Sequence, residues 1–263
     1  MADYKKYYKG NEQILMELER LHTKKYELKR LIDSSGSIEP FVTEFSGLPR
    51  TGKSSSLDRV YEFFKQANIS VEKTDEPAQI IKDSMTKEEV SKMTNLEFNN
   101  KTLEISKNEL NRKKNQQPTI IIQDRGVIDN YFWYQMMYEE GQLSDEQYEQ
   151  ILISLSRDLM DVDQLFVMYA QPEIIIFRDY ISQIWLEDRK KTTLERVTQL
   201  RNGFEHLIPL IRKEVSDDKL IQLDTSNIGE IQTAITIADT MMNGINKKLI
   251  LKRNNNNNNS HHN

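Results

Sequence analysis

The sequence predicts an α/β fold of three layers: a five-stranded parallel sheet, helices on both of its faces and a helical lid. Three observations predict it. Short runs rich in β-branched and apolar residues recur at 40–45, 69–74, 119–123, 163–169 and 219–224. A helix-length segment follows each of them, as the crossovers between parallel strands require. The run at 119–123, Thr-Ile-Ile-Ile-Gln, is apolar without alternation, the pattern of a strand covered on both faces.

Residues 10–33 place Ile14, Leu18, Leu21, Leu28 and Ile32 on one narrow helical stripe, interrupted at Lys25. That helix packs on the domain's own surface, pairs as a short coiled coil in a homodimer, or recruits a partner; Ser34-Ser35-Gly36-Ser37 ends it as a flexible joint. The first strand feeds a glycine-bracketed loop and a helix from Ser55 to Ala67. The second strand is closed by Asp75-Glu76-Pro77, and residues 78–114 read as helix, with Met85, Val90, Met93, Leu96 and Leu103 as the buried positions. The third strand stops at Asp124-Arg125-Gly126, and helices follow through Tyr138 and over 144–160. After the fourth strand Pro172 opens a helix, since its missing N–H costs nothing in a first turn. A charged segment at 187–191 leads into a long helix ending near Val215; the fifth strand and a helix over 228–248 complete the fold. Three regions result: an amphipathic helix in 1–36, the α/β domain in 37–248, and a low-complexity Asn/His-rich tail in 249–263 read as disordered.

Composition narrows the function. The net charge is −5 with both signs interspersed, so no field favours nucleic acid or an anionic membrane surface. The absence of cysteine excludes disulfides, thiolate zinc sites and cysteine nucleophiles. No run approaches a membrane span and the first residues lack the apolar core of a signal peptide, so a cytoplasmic protein is expected.

Gly47, Leu48, Pro49, Arg50, Thr51, Gly52, Lys53 and Ser54 match the spacing G-x-x-x-x-G-K-[ST]. In that pattern, that of P-loop nucleotide-binding proteins, the loop amides and the following helix start, here including Ser55, cradle the phosphates of ATP. Lys53 would bridge the terminal phosphates and Ser54 would hold Mg²⁺. Ligands of an open parallel sheet bind beyond the carboxyl ends of its strands. Glu76, Asp124, Arg125 and Gln171 fall at such ends. Asp124 is the candidate to complete the magnesium site or cap the next helix, Arg125 to grip an acceptor, and Glu76 to orient it or act as a base. Trp133 and Tyr134 would stack on a base or pack in the core. Residues 187–191, with Arg178 and Arg196, have the composition of a cationic lid or of a solvated face.

The order of these motifs over residues 38–245 resembles the thymidylate kinase family and its deoxynucleoside kinase relatives. The motifs are the phosphate loop, Glu76-Pro77, Asp124-Arg125, Pro172-Glu173, and Asp188-Arg189 with Arg201 and Phe204. The resemblance implies donor and metal handling by Lys53, Ser54 and Asp124, and acceptor contact by Arg125. It also implies transition-state stabilisation by Arg189, and a catalytic role for Arg50, at a loop position where some members carry an arginine. The chain departs from the family at Ser46, where a carboxylate is common, and at Pro49, where a thymidylate kinase usually has Asp; Glu44 should share Ser46's face. The expected activity is Mg²⁺-assisted, ATP-dependent phosphorylation of a nucleotide, a deoxynucleoside monophosphate. The alternatives are a regulatory ATPase or nucleotide sensor that engages a partner through its N-terminal helix, and a kinase of a nucleoside or another small metabolite.

Overall fold

The computed structural model describes residues 12–36, 38–183 and 192–260. Its first half comprises α1 (Glu12–Ser34), β1 (Phe41–Gly47), α2 (Lys53–Lys65), β2 (Val71–Lys73), α3 (Pro77–Ser84), α4 (Lys87–Lys92), α5 (Asn95–Lys114) and β3 (Ile120–Asp124). The second half adds α6 (Val127–Glu139), α7 (Asp145–Met160), β4 (Gln164–Tyr169), α8 (Pro172–Gln183), α9 (Leu194–Glu214), β5 (Leu220–Asp224) and α10 (Glu230–Ser260). The five strands pair in parallel in the order β2-β3-β1-β4-β5. The connections leaving β1 and β3, adjacent in the sheet, travel in opposite directions, which opens a crevice at their carboxyl ends.

Alternation along β1 divides the core. Phe41 and Phe45 face α1, α2 and α10, with Phe45 stacked on Phe166 at 4.7 Å. Val42 belongs to the opposite cluster with Val127 and Ile128 of α6 and Val197 and Leu207 of α9. Glu44 and Ser46 turn to this second face as well, and there they meet α6.

Helix α1 runs alongside α10 in the same direction, pinned by Lys24 on Asp239 at 2.6 Å and Gln232 on Glu17 at 2.8 Å, with Arg253 reaching Ser34 at the far end. Leu21 and Leu28 are buried in the domain's own core, and Ile14, Leu18 and Ile32 pack against it. The stripe that pairing through this helix would use is therefore covered. Lys25, the interruption in that stripe, is also buried, its ammonium 4.3 Å from the centre of the Phe63 ring.

Residues 78–114 are helical as expected, in three helices, because Thr86 with Glu89 and Thr94 with Glu97 each build a capping box that starts a new one. Two expectations are corrected. None of Met85, Val90, Met93, Leu96 and Leu103 is fully buried; on α5 the buried residues are Asn99, Thr102, Ser106 and Leu110, a mostly polar face that meets α6 through Asn99 and Thr102 and β3 through Ser106. The last helix, expected to end at Lys248, runs to Ser260, as neither Gly nor Pro interrupts the chain after Gly244. Among the described residues no helix is long and apolar enough to cross a membrane.

Candidate active site

The phosphate loop leaves β1 at Gly47, whose φ is +130°. A Cβ there would lie 1.9 Å from the carbonyl oxygen of Met168, so only glycine lets β1 run this close to β4. The next amide, Leu48 N–H, donates to that same oxygen at 3.0 Å. Thr51 closes the turn with its hydroxyl on the Leu48 carbonyl at 2.9 Å, and Gly52, at φ +86°, caps α2. Lys53 folds back into the loop, its ammonium donating to the carbonyls of Gly47 at 2.9 Å and Leu48 at 2.7 Å. Burial pushes its pKa down to about 7, and the Arg125 charge pushes the same way. Ser54 and Ser55 are exposed on the first turn of α2. Arg50 adopts φ +58°, a left-handed conformation unusual for a side-chain-bearing residue.

Across the crevice β3 delivers Asp124 and then Arg125, also left-handed at φ +59°. Its guanidinium lies between two carboxylates, Glu76 at 3.0 Å and Asp129 one helical turn on. Those two charges raise the Arg125 pKa although burial opposes them. Asp129 also accepts the hydroxyl of Ser46, so the position beside the loop glycine reaches a carboxylate through α6. Glu44 secures this arrangement. Fully buried, it accepts three amides of the turn that carries Arg125 into α6: Gly126 at 3.1 Å, Val127 at 3.1 Å and Ile128 at 2.8 Å. Burial pushes its pKa up to about 8, the three amides pull against it, and the Asp129 charge adds to the rise.

Between the loop, α3, α5, α6 and α9 lies a cavity of about 510 Å³. Leu48, Glu76, Arg125 and Asp129 form its end at the loop; Trp133 lines it farther out, and Phe132, stacked on Phe204 at 4.0 Å, forms a wall. Asn99, Thr102 and Asn130, which the sequence reading did not single out, also line it. Thr102 donates to the Asn130 side chain at 2.8 Å and Asn99 to the Asn130 carbonyl at 3.1 Å.

The crevice thus gathers the loop, Glu76, Asp124, Arg125 and Trp133. Tyr134 is corrected: it is buried against Met137, Leu143 and Tyr148, its hydroxyl on Asn100 at 2.5 Å, because one residue along α6 turns a side chain away from the cavity. Gln171 is exposed and does not line the cavity. Arg196 lines it, while Arg201 pairs with Glu205 at 2.9 Å. Arg178 reaches the far side of the phosphate loop, 3.3 Å from the Arg50 carbonyl. Asp188, Arg189 and the rest of the expected lid at 187–191 lie outside the described residues.

The donor set fits a magnesium ion. Ser54 offers an exposed hydroxyl, and Asp124 at the end of β3 offers a mostly buried carboxylate whose pKa burial raises, a cost that a cation would offset.

No protein-family model matches the chain, and no curated protein does. Among solved structures, the chain is similar to deoxyadenosine kinase from M. mycoides with bound dATP, at a TM-score of 0.55 and 16% sequence identity. The match covers 77% of this chain and 99% of that one. At that identity the likeness establishes the fold: an α/β domain built on a five-stranded parallel sheet with helices around it.

Proposed function

We propose that the chain transfers the terminal phosphoryl group of ATP to the hydroxyl of a nucleoside, assisted by Mg²⁺. The phosphate loop supplies the donor site. Ser54 and Asp124 would hold the metal, which when bound neutralises phosphate charge. Lys53 would exchange its two loop carbonyls for phosphate oxygens. Trp133 offers a face to a base, and Arg125 would touch the acceptor near the sugar.

The observation that carries the choice of acceptor is the trio Glu76, Arg125 and Asp129 where the cavity meets the loop. A hydroxyl acceptor needs a positioned base, and Glu76 lies beside Arg125 to serve as one. A monophosphate would arrive ionised against two carboxylates whose single cationic partner is already engaged. A nucleoside therefore suits this end of the cavity better than the deoxynucleoside monophosphate that the resemblance implies. The monophosphate reading rests on Lys82 and Arg196, two cations elsewhere on the cavity lining.

Coupled ADP release, measured over matched nucleosides and monophosphates, tests the proposal. The expected outcome is turnover that depends on a nucleoside and falls by about 10²–10⁴-fold in Glu76→Gln. ATP hydrolysis indifferent to every acceptor would identify an ATPase instead, and a preference for monophosphates would move the acceptor to the second reading.

A further inference from the structure

Arg50 is gripped at both ends by consecutive residues of α8. Asp179, itself 6% exposed, accepts the Arg50 Nε–H at 2.8 Å. Arg178 donates to the Arg50 carbonyl at 3.3 Å, and fixes its own position on Thr225, just past β5, through the hydroxyl at 3.1 Å and the carbonyl at 2.6 Å. A left-handed backbone at a residue bearing a Cβ is strained and persists only where its surroundings over-determine it. Here the surroundings come from a helix more than a hundred residues away in sequence.

The geometry of the pair points to a purpose beyond tying the loop down. A guanidinium has five donors in a planar fork. Asp179 takes the one on Nε, and among the described residues no acceptor meets the two terminal nitrogens of Arg50. The side chain retains partial exposure, 28%. A planar pair of unspent N–H groups on the phosphate loop matches two oxygens of one phosphoryl group.

Resting on the donor site proposed above, we infer that Asp179 is the positioning residue for Arg50: it holds the guanidinium by Nε, so that the terminal nitrogens are presented to the last phosphoryl group of a bound nucleoside triphosphate. Arg178 sets the backbone from which that side chain projects. The consequence is selective. The pair favours the triphosphate over the diphosphate, because only the former carries the group that Arg50 would grip.

Calorimetric titration of Mg-ATP and Mg-ADP into the wild type, Arg50→Ala, Asp179→Asn and the double variant tests this, with thermal unfolding of each as a check on the fold. Asp179→Asn keeps the side-chain shape and removes the charge that holds Nε. The expected result is that each single change lowers the preference for ATP over ADP by about tenfold, the worth of one charge-assisted hydrogen bond, with ADP affinity kept. The double variant should lose no more than Arg50→Ala alone. Equal weakening of both nucleotides, an unchanged preference in Asp179→Asn, or additive losses in the double variant would each overturn the inference and leave a pair that merely anchors the loop. Failure of the wild type to bind either nucleotide would overturn the donor site and this inference together. Binding of ATP without transfer to any acceptor would touch only the proposed reaction.

Discussion

Replacing Glu44 by Gln probes the support beneath Arg125 and Asp129. The wild-type carboxyl is fully buried and accepts three amides from the start of α6. Both oxygens act as acceptors, so the amide nitrogen of a glutamine would face an N–H and leave it unsatisfied, at a cost of about 1–3 kcal/mol at any pH. A second contribution depends on pH. Burial lifts the Glu44 pKa from 4.5 in the unfolded chain to about 8. The native state therefore retains a proton that the unfolded state releases in this window. The stability this proton contributes is full below about 4.5 and is lost as pH climbs to about 8. One such group costs roughly 1.4 kcal/mol per pH unit inside the window, which integrates to about 2 kcal/mol between about pH 6 and about pH 8. Glutamine cannot ionise, so Glu44→Gln should be clearly less stable than the wild type near pH 6, and its deficit should shrink by about 2 kcal/mol by pH 8. Urea unfolding at closely spaced pH values measures both. A deficit that grows with pH would show that the three amides and the helix dipole outweigh burial, and would refute the reasoning. A deficit indifferent to pH would refute it equally.

Two glycines yield separable outcomes. Gly47→Ala places a Cβ 1.9 Å from the Met168 carbonyl oxygen at φ +130°, so β1 and β4 must part; the loss should exceed about 4 kcal/mol in thermal unfolding, and near-wild-type melting would contradict the geometry. Gly203→Ala places one 2.4 Å from Met136 Sδ and 2.9 Å from Phe132 Cε2, both on the cavity lining, and should push them inward. Overpacking of about 1–3 kcal/mol should raise the acceptor KM roughly tenfold and leave ATP affinity unchanged, whereas a loss confined to ATP would place the acceptor elsewhere.

The candidate site was legible wherever its chemistry is consecutive in the chain. Gly47 to Ser54 carries its meaning in its spacing, and Glu76, Asp124 and Arg125 follow from the rule that ligands meet strand carboxyl ends. The placement of Glu44 on Ser46's face followed from alternation, but not its partners, which lie 82 to 84 residues away. The two capping boxes that divide 78–114 were present as Thr-x-x-Glu and could have been read. No local pattern marks Asp179, since it acts on an arginine 129 residues earlier in the chain.

Local propensity and period settle what each segment becomes, because hydrogen bonding within a turn and the two-residue repeat of a strand depend on near neighbours alone. The strands and the phosphate loop were determined in this way, and the parallel sense of the sheet by the helix-length crossover that follows each strand. Which side of a helix meets the cavity is a different matter. Trp133 and Tyr134 are adjacent in sequence and equally aromatic, yet one lines the cavity and the other is core, a choice made by how α6 lies against α5, α7 and α9. The same holds for the face of α1 that α10 covers and for the clamp on Arg50. These depend on contacts between distant segments, whose energies exist only once the sheet has brought those segments together.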